Sequence, residues 1–207
     1  MLQTNLQHIK HHNSDPSAIG LFGLAMVTLV ASTQKLGWTD GYALVIPWAV
    51  FLGAIAQLFA AVEDAKRGNH FGTTAFAAYG LFWLGVASSW LIKLGVFGPV
   101  LASTADGNQL GVAFAGYLIF TLFMTIGAAE TNKTLFLIFV LIDFLFLGLA
   151  LSAFGIAESF THGLAAWSEL FIALVSFYGM GANVLNNHLG YTFLPIGKPM
   201  GWFKKPV

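Results

Sequence analysis

The chain has 207 residues, of which 57% are hydrophobic and only 9% charged, with zero formal charge and no cysteine. A water-soluble domain carries about 25% charged residues, so this composition excludes a soluble enzyme or scaffold with a polar shell. The missing basic field and missing thiols also exclude a nucleic-acid binder and a thiolate metal site.

Met1 to Ser14 is polar and carries no secretory signal; residues 1–14 read as a cytoplasmic tail. His8, His11 and His12 have the spacing of metal ligands on a helix, but they read as solvated tail residues, and neither metal nor cofactor is expected. Asp15-Pro16 then opens the first helix, with Asp as cap and Pro in the first turn.

Asp, Glu, Lys and Arg are absent from Pro16–Gln34, Gly41–Val62, Gly68–Ile92, Gly107–Ala129 and Leu170–Gly197, and Thr134–Ala157 carries only Asp143. A bilayer core takes about 20 apolar residues of helix to cross. The windows are continuously apolar and do not alternate with period two, which argues for helices over a barrel. The predicted spans are Ala18–Thr33, Tyr42–Val62, Thr73–Ile92, Leu110–Ala129, Thr134–Phe154 and Leu164–Leu185. The fold class is therefore an all-α integral membrane protein, a six-helix bundle. Residues 15–197 form the transmembrane domain and residues 198–207 a second cytoplasmic tail.

Orientation follows the distribution of Lys and Arg. One set of ends holds Lys10, Lys66, Arg67, Lys133, Lys198, Lys204 and Lys205; the other holds Lys35 and Lys93. That bias predicts both termini in the cytoplasm. Small residues recur at four-residue spacing, as in Ala49/Gly53, Ala56/Ala60, Gly107/Gly111/Ala115 and Gly148/Ser152. They predict close helix approach, within the bundle and in part between subunits.

Few residues in the spans carry chemistry. Asp143 lies nine residues past Thr134, roughly 14 Å along its helix at about 1.5 Å per residue, near the midplane. A charge there is costly unless paired, wet or protonated. Asp143 is thus a proton-coupling candidate, expected in its neutral form if it lines an anion path; the alternative is a hydrogen-bonded packing residue. Glu169, one or two turns into the last span, is expected to snorkel to the outer interface. Ser176, Gly179, Asn183, Asn186 and Asn187 share one face of the last helix. Amides facing lipid would be unsatisfied, so this face meets either a pore or other helices, and Gln57 is a similar case. Such amides supply donors without full charges, which suits an anion that must enter and leave. Phe76, Tyr79, Gly80 and Trp83 fall within one arc of the third helix, either as packing or as a constriction with a polar edge.

Several motifs carry a resemblance. Asp15-Pro16-Ser17-Ala18-Ile19-Gly20-Leu21-Phe22-Gly23-Leu24 resembles the N-terminal signature Asn-Pro-Ala-Pro-Leu-Gly-Leu-x-Gly-Phe of the acetate uptake transporter family. Gly53 to Ala60, Gly68 to Phe76, Tyr79 to Trp83 and Leu194 to Gly197 continue the match in order along the chain. The chain resembles the bacterial and archaeal succinate–acetate permeases of that family. The resemblance implies a six-helix protomer in a homo-hexamer, each copy with its own path for acetate, and for succinate or other small carboxylates. It implies a hydrophobic constriction at Leu24, Tyr79 and Ile142, with Leu24 standing where the family has Phe. Asp15, Gln57, Thr73, Thr74, Asn183 and Asn186 are the candidate substrate contacts. Asp15 replaces the signature Asn at the cytoplasmic entry, where an acid disfavours a carboxylate unless it is locally paired. Proton symport and passive anion conduction are both compatible with the resemblance.

The expected function is thus transport of acetate across the cytoplasmic membrane, as a proton-coupled transporter or an anion channel. A path for neutral solutes such as ammonia or urea is the first alternative, and a membrane sensor or scaffold without flux the second. An enzyme is not expected, because the spans hold no Ser–His pair, no twin acids and no HExxH motif.

Overall fold

A computed structural model describes residues 14–203 and is helical wherever its structure is regular. His8, His11 and His12 lie outside the described residues. The helices are α1 (Ser17–Lys35), α2 (Val45–Lys66), α3 (His70–Lys93), the short α4 (Pro99–Thr104), α5 (Gly107–Ala129), α6 (Lys133–Ala153) and α7 (Glu158–Leu189). Six of them, all but α4, are long and apolar enough to cross a membrane.

The spans begin and end close to where charge reappears in the sequence, with three differences. Helix α2 does not stop at Val62 but continues through Glu63 and Asp64 to Lys66, helped by a Lys66–Glu63 ion pair at 2.6 Å. Helix α7 has 32 residues, starting one and a half turns earlier than expected and ending at Gly190, whose φ of +76° closes the last turn. Within α2, Ala49–Ala56 is π-helical, beginning two residues after Pro47, which has no N–H to give.

The six long helices form a ring. Helix α1 packs on α2 and α7, α6 packs on α5 and α7, and α3 packs on α2. Gly148 is where α6 and α7 touch backbone to backbone: a Cβ there would lie 2.7 Å from the carbonyl oxygen of Thr161. The α3–α5 seam is looser and is closed by aromatic side chains. Phe82 meets Tyr117 edge to face at 4.9 Å, and Tyr117 stacks on Phe146 of α6 at 5.4 Å. Such pairs add attraction beyond the apolar area they bury.

The outer surface of the ring is apolar. Phe51, Ile55 and Phe59 on α2, and Val112, Ile119 and Phe123 on α5, are exposed, Phe123 to 72%. In water such a band would be an unmatched liability; in hydrocarbon it is the matched surface. The chain is therefore a multi-pass membrane protein.

The two ends of the bundle differ. Asp15, Arg67 and Asn183 meet at one end. There the C-terminal residues also fold back: Ile196 O accepts from the backbone N–H and hydroxyl of Thr134, Met200 N donates to Ala129 O, and the backbone N–H groups of Trp202 and Phe203 donate to Glu130 Oε1. At the other end Trp38 meets Trp167 at 6.4 Å and Tyr42 stacks on Trp90 at 5.3 Å. Glu169 does not snorkel. It is 1% exposed and its Oε2 accepts from Lys35 Nζ at 2.8 Å. The tight α1–α7 packing brings Lys35 over it, so the acid is neutralised inside the bundle and has no need to reach the interface.

Candidate functional site

A cavity of about 470 Å³ opens at the end that holds Asp15 and Arg67 and runs into the ring. Its walls come from every long helix except α5 and from Ile196 of the folded-back C-terminal segment. Asp15, Asp64, Asn69, Asn183 and Asn187 line its mouth. Deeper in, Gln57 leads to an apolar floor that includes Leu24, Tyr79 and Ile142.

The predicted constriction residues thus line the same cavity, from three different helices. Leu24 and Ile142 are buried, as is Tyr79. The Tyr79 hydroxyl is not turned to the cavity, however, but lies 2.9 Å from Thr121 Oγ1 of α5. The ring therefore presents carbon to the path while the polar edge faces away. Gln57 is fully buried, and its Nε2 donates to Gly53 O at 2.8 Å, in the π-helical stretch where backbone pairing is rearranged. That bond consumes one amide donor and fixes the side chain against its own helix.

At the mouth, Asp15 is locally paired. Its Oδ1 sits 3.2 Å from Arg67 Nη1 and accepts from Ser17 N at 2.9 Å, and Asn183 Nδ2 donates to Oδ2 at 3.4 Å. Burial pushes the Asp15 carboxyl up, but the Ser17 donors, the Arg67 guanidinium and the Asn183 amide together outweigh it and hold the group below its ordinary 3.8. The acid at this position is thus a charge-balanced one.

Of the asparagines, Asn183 and Asn187 face the cavity with Gly179. Asn186 also lines it, but its amide is committed on both sides: Nδ2 donates to Leu194 O at 2.8 Å, and Oδ1 accepts from Phe193 N and Leu194 N. It acts as the clasp of the loop that carries Ile196. Ser176, one turn deeper on the same face, is buried and its hydroxyl has no partner among the described residues.

Thr73 and Thr74 are not brought to the cavity. Thr73 Oγ1 donates to Asn69 O at 2.8 Å and Thr74 is exposed. Asp143 also stands outside the cavity lining. It is one residue past Ile142, so its side chain is turned by ~100° around α6, toward α5, where its Oδ2 is 2.7 Å from Thr125 Oγ1. That is the geometry of the hydrogen-bonded packing alternative.

Two wall residues escape a reading of the sequence alone. Asp64 is 1% exposed and lines the cavity, and Asn69 caps α3 by accepting from Gly72 N at 3.1 Å. The signal for Asp64 was its spacing: it follows Gln57 by seven residues, hence on the same face of α2.

A profile described as the GPR1/FUN34/yaaH family matches residues 1–200. Among curated relatives, the succinate-acetate/proton symporter SatP of Escherichia coli K12 is 33% identical over 186 residues, covering 89% of this chain and 96% of that protein. Acetate permease A of Emericella nidulans is 32% identical over 143 residues, 65% of this chain and 47% of the permease. The solved structure of a bacterial acetate channel, SatP, superposes with a TM-score of 0.82 at 32% identity, covering 89% of this chain and 99% of that one.

Proposed function

Because this chain belongs to the GPR1/FUN34/yaaH family, we propose that it carries acetate, and with it succinate and other small carboxylates, across the cytoplasmic membrane. The reading is of a transporter or channel and not of an enzyme. The observation that carries it is the cavity itself, whose lining joins amides and a balanced Asp15–Arg67 pair to a carbon-lined floor at Leu24, Tyr79 and Ile142.

That sequence of surfaces suits a small carboxylate. Asn183, Asn187 and Gln57 offer neutral dipoles that replace part of the hydration shell without holding the anion. The floor then strips the remaining water. Moving an unpaired carboxylate into an apolar environment is expensive, so only a short apolar zone is passable. In this reading Leu24, Tyr79 and Ile142 select by size, Asn183 and Gln57 contact substrate, and Asn186 acts through the loop it holds. Both termini are cytoplasmic, in line with the Lys and Arg distribution, and the cavity opens to the cytoplasm. The exposed apolar faces of α2 and α5 serve lipid and neighbouring copies in a homo-hexamer.

The test is uptake of labelled acetate into liposomes containing the purified protein, with succinate and formate as competitors. Competable uptake above protein-free liposomes is expected. Its absence would remove the proposal.

A further inference from the structure

At the cavity mouth there are two carboxyls and one cation. Arg67 is paired with Asp15. Asp64, on the last turn of α2, is fully buried, and neither of its carboxyl oxygens has a hydrogen-bond partner among the described residues. Space for it is made by Gly72 of α3, where a Cβ would collide with Asp64 Oδ2. The Asn69 amide, which lies against the same Gly72 position, is a neutral neighbour of this carboxyl, and no cation is paired with it among the described residues, so a carboxylate there needs a proton or a counter-charge.

We propose that Asp64 is a proton-binding site that sets the charge of the mouth: with its proton the mouth is balanced and admits an anion, and without it the mouth is net negative and excludes one. This rests on the reading of the cavity as a carboxylate path. The proton comes from water at the open end of the cavity and returns there.

The surroundings fit a group poised to titrate. Asp15 and Arg67 already pair with each other, and the Asn69 amide stands beside the Asp64 carboxyl. The N-terminus of α3 adjoins it and, as the positive end of a helix, favours the anion. On its own helix, Glu63 and Lys66 pair with each other and leave no spare charge. Helices α6 and α7 line the cavity with Thr134, Asn183 and Asn187 and no charged side chain. The mouth therefore changes by one full charge when Asp64 alone gains or loses a proton.

The experiment has two arms. In proteoliposomes, initial acetate uptake corrected for protein-free leak is measured across a pH series well above the titration of acetic acid itself. For the wild type it should fall with rising pH, by up to about tenfold per pH unit beyond the midpoint of a single titrating group. Asp64→Asn, which keeps the shape and the neutral charge, should hold uptake near the wild-type low-pH level throughout. Infrared spectroscopy of the purified protein supplies the second arm: the protonated-carboxyl stretch should lose the Asp64 component in Asp64→Asn, and that component should vanish with rising pH in the wild type. Asp64→Asn with a wild-type pH profile would overturn the inference, and so would a carboxyl band identical in both proteins. If the wild type shows no acetate uptake at all, the transport reading fails, while the infrared arm still decides whether Asp64 binds the proton.

Discussion

The Tyr79 hydroxyl lies 2.9 Å from Thr121 Oγ1 and is the donor of that bond, because Thr121 gives its own hydrogen to Tyr117 O at 2.7 Å. The bond joins α3 to α5 beside the apolar lining of the cavity, at the seam where those helices otherwise touch through aromatic rings. It holds the Tyr79 ring against the path while removing its polar edge from it.

Two substitutions separate these duties. Tyr79→Phe keeps the ring and deletes the bond, so the melting temperature in detergent should fall by the equivalent of ~1 kcal/mol, with selectivity unchanged. Tyr79→Ala, Leu24→Ala and Ile142→Ala each shorten the floor and should let longer monocarboxylates such as butyrate compete with acetate. Unchanged competition in all three would mean that the floor does not select by size.

At the opposite end, the Lys35–Glu169 pair makes a prediction about stability. Glu169 is buried and its one cationic partner among the described residues is Lys35, with 14% of its side chain exposed. Removing only the cation, in Lys35→Met, strands a buried acid and should cost about 3–5 kcal/mol. Replacing both, in Lys35→Met with Glu169→Leu, should recover most of that loss. The double variant melting as low as the single one would show that the pair contributes through packing and not through charge.

How far the sequence is legible follows from what each medium demands. Lipid requires long uncharged runs, so the six spans are plain from Pro16 onward. The failures sit where a charge is tolerated by tertiary contact. Glu63 and Asp64 look like the end of a span, yet α2 runs through them, because Asp64 is buried against Gly72 of the next helix and Glu63 pairs with Lys66. Lys35 and Glu169 are 134 residues apart, and no local pattern announces their meeting. That Leu24, Tyr79 and Ile142 line one cavity agrees with where the resemblance put them, but the direction of the Tyr79 hydroxyl was not legible, since it depends on a threonine of another helix. The asparagine face of α7 was legible by its period. That Asn186 clasps a loop depended on Leu194 and Phe193 returning to it, which no periodicity encodes.

The Asp15–Arg67 pair governs the mouth in acid. Asp15 is held below its ordinary 3.8 in the folded protein. A group lowered in this way contributes stability that is complete above its unfolded value and is lost as pH falls through the folded one. Wild type should therefore show an acid-dependent drop in melting temperature below that value which Asp15→Asn shows less. At neutral pH, Arg67→Gln leaves Asp15 unbalanced. If an entering anion then meets an extra cost of ~1.4 kcal/mol, uptake falls roughly tenfold, and added salt should restore part of it. Full uptake in Arg67→Gln would show that the guanidinium does not balance the entry.

Asp143 calls for the opposite expectation. Its Oδ2 is 2.7 Å from Thr125 Oγ1, and the same hydroxyl is 3.0 Å from Thr121 O. Thr125 has one hydrogen and cannot give it to both. The arrangement closes when Asp143 carries a hydrogen and donates it to Thr125, which in turn donates to the carbonyl. An asparagine amide supplies the same donor at the same place. Asp143→Asn should thus keep the fold, the uptake rate and the pH profile, whereas Asp143→Leu should destabilise the α5–α6 contact by about 1–3 kcal/mol through the loss of a buried partner. Measuring uptake against pH for both variants distinguishes a packing acid from a carrier: a flat profile in Asp143→Asn would transfer the proton-handling role from the mouth to α6.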